Sequence, residues 1–538
     1  METFYTDEKN VQVIISLLKQ NNIKKVVASP GSTNMTFVAS IQTDPYFEVF
    51  SSVDERSAAY MACGIAAETG EIVVLSCTGA TASRNYFPGL TEAFYRKLPL
   101  LSMTSHQGAS RIGHNIAQVL DVSVMPKDTA KRVIELPIVK DEDDLWDCEI
   151  KVNKAILELK RHGGGPVHIN LYTKYSLNYT VKELPKYRKI NRINIYDNFP
   201  QLPIGYIAIF IGSHFKFNES QTKSIEKFCE SNNAVIFCDH TSGYYGKYRV
   251  NFALEALQVQ SMNKNQQLKP ELIIQIGEIT GDYYTFNIKS KNVWRVNEDG
   301  EIKDNYRKLT HIFQMPEQIF FDNYAKAETV INCSYYEECK NLLSKTREMI
   351  PELPFSNIWI ASIIASKIPS NSVIHFAILN SLRSWNFYDL PDSVQSFSNV
   401  GGFGIDGCVS SLVGASLFDK NKLFYGVIGD LAFFYDMNVI GNRHVGNNLR
   451  ILLVNNGTGT EFRHTSHFAN QFGKHADTFI AAGKHFGNKS PKLIKNYAEN
   501  LGFEYISASN KDQFSKVYEQ FINPKLNQKS MVFEVFTN

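Results

Sequence analysis

The chain has 538 residues, room for roughly two to four domains, and its 43% apolar and 20% charged residues are ordinary for a globular protein. A formal net charge of +2 without a basic stripe leaves no footprint for nucleic acid, and no apolar run approaches the roughly 20 residues of a membrane-spanning helix. The eight cysteines are scattered with no CxxC pair, several inside apolar runs, which predicts a reduced, cytoplasmic protein without a zinc site.

The N-terminus, Met1 to Glu8, lacks the basic and apolar regions of a signal peptide. Apolar runs then alternate with amphipathic stretches, the pattern of βαβ units and parallel sheets. Val27-Ala28-Ser29-Pro30-Gly31-Ser32 reads as a strand entering a loop. Phe47 to Val53 leads into Asp54-Glu55-Arg56-Ser57-Ala58-Ala59, where Glu55 stands at the start of a helix. Taken alone, Glu55 is an acid favoured by the helix dipole. Ile72 to Ser76 is a further strand, followed by the small-residue turn Cys77-Thr78-Gly79-Ala80-Thr81-Ala82, then Asn85 and Pro88. The first block closes with the strand Val167-His168-Ile169-Asn170-Leu171, and a polar link runs from Lys182 to Asn198.

The middle block carries three apolar strands, Tyr206–Gly212, Ala234–Asp239 and Leu272–Gly277, as in a small doubly wound sheet. It has no GxGxxG, so a dinucleotide site lacks support there and a structural role is expected. The third block starts near Phe355. In it Leu423 to Ile428 and Arg450 to Val454 read as buried parallel strands, with a helix expected over Leu431 to Val445. No repeat of fixed period is visible within this third block. Gly429-Asp430-Leu431-Ala432 thus falls where a strand hands over to a helix, at the carboxyl edge of a sheet, where open α/β folds bind ligands and helix N-termini favour phosphate. Asn456, in Asn455-Asn456-Gly457-Thr458-Gly459, comes 26 residues after Asp430. Mg²⁺ wants an octahedron of hard oxygens, few of them from protein. One carboxylate (Asp430), one amide oxygen (Asn456) and one backbone carbonyl (Thr458) would suit a Mg²⁺-diphosphate.

This spacing resembles the signature of thiamine-diphosphate (ThDP) enzymes of the acetolactate synthase and 2-oxo acid decarboxylase type, and the likeness spans nearly the whole chain. It implies three doubly wound α/β domains: pyrimidine-binding (1–182), central (199–340) and diphosphate-binding (355–538). Glu55 falls on the family's activating glutamate. That acid shares a proton with a ring nitrogen of the aminopyrimidine, turning its amino group into the base that deprotonates the thiazolium. It needs a mostly apolar pocket to do so near neutral pH. Gly401-Gly402-Phe403-Gly404-Ile405-Asp406-Gly407 resembles the loop whose aliphatic residue, here Ile405, wedges between the cofactor's rings. A rigid β-branched wedge suits a bent cofactor. The resemblance also implies cofactor contacts from Ser32, Thr81, Asn85, Gly404, Gly429, Leu431, Ala432, Thr458 and Gly459.

For the reaction, Asn380-Ser381-Leu382, Gly404 to Gly407 and Gly429 to Leu431 most resemble the menaquinone-pathway carboligases. Where those enzymes grip carboxylates with arginines, this chain has Thr33, Gln107, Trp385 and Val400, and loses that bidentate recognition. Gly113 to Asp121 is similar to the acetolactate-synthase loop in which a glutamine, here Gln118, nears the reaction centre. The tandem histidines of simple decarboxylases are missing, since Gln107 follows His106. Glu461 and His464 stand where the family's substrate-facing residues lie. The resemblance thus implies a ThDP- and Mg²⁺-dependent enzyme. It would decarboxylate a 2-oxo acid and pass the acyl-anion equivalent to a carbonyl acceptor, as a homodimer or dimer of dimers with shared sites. Protonation to an aldehyde, a catalytically silent ThDP-binding protein and a yellow flavin-containing oxidase are the rivals.

Overall fold

The fold is described from a computed structural model over residues 4–122, 124–251, 268–281, 288–325, 333–464, 467–484 and 490–537. It comprises two compact units, one of Met1–Ile193 with Gly300–Ile312 and one of Asn194–Asp299 with Phe313–Asn538. The strands form three sheets.

The first holds β1 (Lys25–Ala28), β2 (Glu48–Ser51), β3 (Val73–Thr78), β4 (Leu100–His106), β5 (Val133–Leu136) and β6 (Val167–Tyr172), in the order β2-β1-β3-β4-β6-β5 with every pair parallel. Its central strands β1, β3, β4 and β6 are buried nearly throughout because helices cover both faces, whereas the edge strand β2 is exposed. Val26, Val74, Leu101 and Ile169 pack with Ile14 and Leu17 of the helix Lys9–Gln20 on one side. Val27, Val73 and Leu75 pack with Ala58, Ala59 and Ala62 of the helix Glu55–Thr69 on the other.

The middle sheet takes in β7 (Asn191–Asn194), β8 (Ile207–Ile211), β9 (Ala234–Cys238), β10 (Arg249–Asn251), β11 (Leu272–Ile276), β12 (Asn292–Val296) and β13 (Leu309–Gln314), in the order β10-β9-β8-β11-β12-β13-β7. The three apolar runs expected as strands are β8, β9 and β11.

The third has β14 (Val373–Phe376), β15 (Gln395–Ser398), β16 (Phe424–Gly429), β17 (Leu449–Asn455), β18 (Glu504–Ala508) and β19 (Met531–Phe536), all parallel, in the order β15-β14-β16-β17-β19-β18. Shifted along the chain, this is the strand order of the first sheet, so the first and third blocks share a topology.

One element is shorter than its apolar pattern suggests. The helix expected over Leu431 to Val445 spans Asp430–Asp436 and tightens into a 3₁₀ stretch, Met437–Gly441. The Asp436 carboxylate accepts from the backbone N–H and the hydroxyl of Ser410, both at 2.5 Å, where the helix ends. All eight cysteines are free. Among the described residues no helix is long and apolar enough to cross a membrane.

Candidate active site

Parallel strands end on one edge with their carbonyls outward, and the next chain segment must turn there to start a helix. At the end of β16 that turn places Asp430 beside the end of β17. Asp430 is buried, and both oxygens take backbone donors: Gly457 N to Oδ2 at 2.7 Å and Leu431 N to Oδ1 at 3.0 Å. Gly457 can aim its amide there because it occupies the left-handed region, φ 69°. Burial is the dominant influence on the acid and pushes its pKa up to about 6, against the pull of those amides. A buried carboxylate raised in this way is one that a cation would stabilise.

Asn456 Oδ1 accepts from Thr458 N at 3.1 Å, which sets the tight turn beyond β17. Ala481 O then receives both Gly459 N, at 2.6 Å, and Thr458 Oγ1, at 3.1 Å, so the turn is held from its far side. Asp430, Asn456 and Thr458 line one cavity of about 420 Å³, together with Ile405, Gly429, Leu431, Ala432 and Gly459. Gly404 lies next to Ile405 in the chain and is not among the lining residues.

The cavity's other wall is polar. Glu461 lines it, and one nitrogen of Arg383 donates to both carboxylate oxygens, at 2.6 and 2.8 Å. Both side chains of this pair are largely buried. His464 also lines the cavity, with its Nε2 2.7 Å from the Asn380 side chain. Asn380 as a site residue escaped the sequence reading, although its place just past the carboxyl end of β14 was a signal.

Behind the cavity stands a second acid. Glu534 on β19 is buried, and accepts Asn455 Nδ2 and Tyr505 Oη, each at 2.7 Å. Burial raises its pKa, and the nearby Asp430 adds to the effect. A glutamate inside the apolar run Met531-Val532-Phe533-Glu534-Val535-Phe536 was the only sequence signal for it.

In the first unit, Asp54 caps the helix Glu55–Thr69 by accepting from the backbone N–H groups of Arg56 and Ser57. This places Glu55 at the first turn, half-buried, with Oε2 accepting from Asn85 Nδ2 at 3.1 Å. Its charge lies near the buried Cys77 and Tyr86, where it adds to the burial that raises both groups. Asn85 ends the short helix Ala80–Asn85, which also carries Thr81. That helix starts at Gly79, whose place only glycine can fill, because a Cβ would run into the ring of buried His106. Glu55 and Asn85 are therefore brought together, while Ser32, Thr81 and Gln118 stand exposed on the surface of this unit, Gln118 in the left-handed region at φ 63°.

Residues 9–125 match the family of thiamine pyrophosphate enzymes at its N-terminal TPP binding domain. The chain is similar to proteins named 2-succinyl-5-enolpyruvyl-6-hydroxy-3-cyclohexene-1-carboxylate synthase. The likeness is 31% identity to that of Bacteroides fragilis and 32% to that of Bacteroides thetaiotaomicron, each over 99% of this chain and 97% of the relative. With the synthase of Flavobacterium johnsoniae it shares 27% identity over 84% of both.

Proposed function

The chain belongs to the thiamine pyrophosphate enzyme family, and from that premise we propose a ThDP- and Mg²⁺-dependent carboligase that decarboxylates a 2-oxo acid and transfers the acyl-anion equivalent to a carbonyl acceptor. The observation that carries this reading is the buried Asp430 on the same cavity as Asn456 and Thr458. These oxygens are the hard donors that Mg²⁺ prefers, and a cation would relieve the desolvation that raises Asp430. When bound, thiamine diphosphate would supply a nucleophilic thiazolium carbon and an electron sink for decarboxylation.

The chain's own residues do the rest. Asp430, the Asn456 amide oxygen and the Thr458 carbonyl would hold the metal and through it the diphosphate. Glu55, steadied by Asn85, would hold the aminopyrimidine end of the cofactor and carry the proton exchanged there. Ile405 would hold the cofactor bent. Arg383 occupies both oxygens of Glu461, which leaves the His464 imidazole as the side chain on this wall placed to carry a proton.

The substrates differ from those in the relatives' names. Trp385 and Val400 belong to the hydrophobic core of the third sheet, and the Trp385 indole donates to Asn357 Oδ1 at 3.2 Å. Thr33 is buried against the Thr78 hydroxyl, and Gln107 accepts from Arg111. None of the four offers a cation to a carboxylate, which favours a donor and acceptor carrying fewer carboxylates.

The test is a mass-spectrometric screen of 2-oxo acids against carbonyl acceptors with ThDP and Mg²⁺ present. CO₂ release coupled to a ligated product is expected. Aldehyde as the sole product would replace carboligation by simple decarboxylation, and no turnover of any donor would favour a binding protein.

A further inference from the structure

Asn380 opens the helix Asn380–Asn386, and the residue before it is held in a strained conformation. Leu379 has φ 70° and ψ −127°, a region that favours glycine. Strain of this kind persists only where the surroundings over-determine it, and it gathers at functional sites. Beyond the strained turn, Asn380 and Arg383 stand three positions apart on one helix face, and both meet the same acid. One nitrogen of Arg383 donates to the two oxygens of Glu461, at 2.6 and 2.8 Å. The Asn380 amide touches Glu461 at two further atoms, its backbone N at 2.6 Å and its Oε2 at 3.3 Å.

Those two atoms decide which way the amide faces. The Glu461 backbone N–H can only donate, so it takes the amide oxygen, and the Arg383-bound carboxylate can only accept, so it takes the NH₂. The reverse orientation would set N–H against N–H and oxygen against oxygen. Turned this way, the amide oxygen also accepts from Thr460 Oγ1 at 2.7 Å, and the NH₂ donates to His464 Nε2 at 2.7 Å. A nitrogen that accepts carries no proton, so the one proton of the His464 imidazole sits on Nδ1. Glu461 Oε2 is 3.9 Å from the same Nε2, too far for a hydrogen bond, so Asn380 and not Glu461 sets the tautomer.

We propose that Asn380 is a positioning residue for His464: it occupies Nε2 and keeps the proton on Nδ1, so that His464 meets the substrate as a hydrogen-bond donor and not as a base. His464 lines the same cavity as Asp430 and Asn456. A neutral imidazole N–H at such a place steadies the negative charge that develops on a carbonyl oxygen under attack. The role toward the acceptor's carbonyl rests on the carboligase reading above, whereas the tautomer follows from the contacts of Asn380.

The test reads His464 directly. The full chain, labelled with ¹⁵N in its imidazole rings, is followed by NMR at about pH 8, above the ordinary range of histidine titration, with and without ThDP and Mg²⁺. His464→Gln identifies the resonances. Wild type should show a protonated Nδ1 and a bare, hydrogen-bonded Nε2. Asn380→Asp puts an oxygen where the NH₂ donates and should move the proton to Nε2, and Asn380→Ala should mix the two forms. Thr460→Val touches only the oxygen side of the amide and should keep the proton on Nδ1. With a reacting donor and acceptor, kcat of Asn380→Asp should fall about ten-fold or more, while the donor's KM changes less than about two-fold. A wild-type His464 protonated on Nε2 overturns the proposal without any variant. So does an Asn380→Asp protein, folded by circular dichroism, that keeps the proton on Nδ1. A proton on Nδ1 in a chain that turns over no donor would sink the carboligase reading and leave the tautomer assignment standing.

Discussion

Asp430 and Gly457 meet across the gap between two neighbouring strands, the Gly457 amide donating to Asp430 Oδ2 at 2.7 Å. The bond ties the acid at the end of β16 to the turn after β17, so the Asn456 and Thr458 oxygens move with it. Asp430→Ala removes the only charged ligand in that set, and Mg²⁺-dependent ThDP binding should be lost in calorimetry. Unchanged cofactor affinity would take Asp430 out of the site.

The same acid sets a pH dependence. Its folded pKa of about 6 lies above the ordinary value of 3.8, so between those limits the folded, metal-free protein holds a proton that the unfolded chain has released. Stability from this group is full below about pH 4 and falls as pH rises through 6, by on the order of 2–3 kcal/mol. Proton and cation also compete, so Mg²⁺ affinity should rise as pH passes 6. Chemical denaturation of metal-free protein at pH 4.5 and 7 checks the first effect, and Asp430→Asn should flatten it.

Glu55→Gln leaves the diphosphate anchor intact and keeps a partner for Asn85. ThDP binding should survive while turnover falls by a factor on the order of 10²–10⁴, as for positioned acid–base groups. Proton exchange at the cofactor's thiazolium carbon, followed by NMR, should slow in parallel. A wild-type exchange rate would refute the assignment.

How much of this was legible in the sequence depends on the range of each signal. Apolar runs closed by Gly429-Asp430 and by Asn455-Asn456 mark strand ends locally, so the place of Asp430, Asn456 and Thr458 at one sheet edge could be read residue by residue. Glu55 could be placed because it follows a strand and opens a helix. The Arg383–Glu461 pair could not, since its partners lie 78 residues apart and each alone looks like a solvated charge. The early end of the helix at Asp436 depends on Ser410, 26 residues upstream, and no local pattern carries that.

Glu534 is the plainest case of a long-range partner. Its oxygens receive Asn455 and Tyr505 from the strands on either side, and Asn455 immediately precedes Asn456. Glu534→Gln keeps the side chain's shape but removes a negative charge behind the proposed cation. Mn²⁺ affinity, read by electron paramagnetic resonance, should weaken about ten-fold, or ~1.4 kcal/mol. Tyr505→Phe, which spares the charge, should change it much less. Equal affinity in Glu534→Gln and wild type, with both folded by circular dichroism, would leave Glu534 a structural residue only.

The last prediction concerns assembly. Glu55 belongs to the first unit and Asp430 to the second, and the proposed chemistry needs them at opposite ends of one cofactor. We expect a homodimer or dimer of dimers with closed symmetry, in which each site takes Glu55 from one subunit and Asp430 from the other. An apolar interface would keep water from the cofactor and strengthen its electrostatic activation. Exposed Val53 and Tyr60, on either side of Glu55, are the kind of residues that such an interface would cover. Mixing inactive Glu55→Gln and Asp430→Ala proteins under conditions that exchange subunits should restore activity, because a mixed dimer holds one doubly damaged site and one intact site. Proven exchange with no recovered turnover would mean that each chain builds its own site.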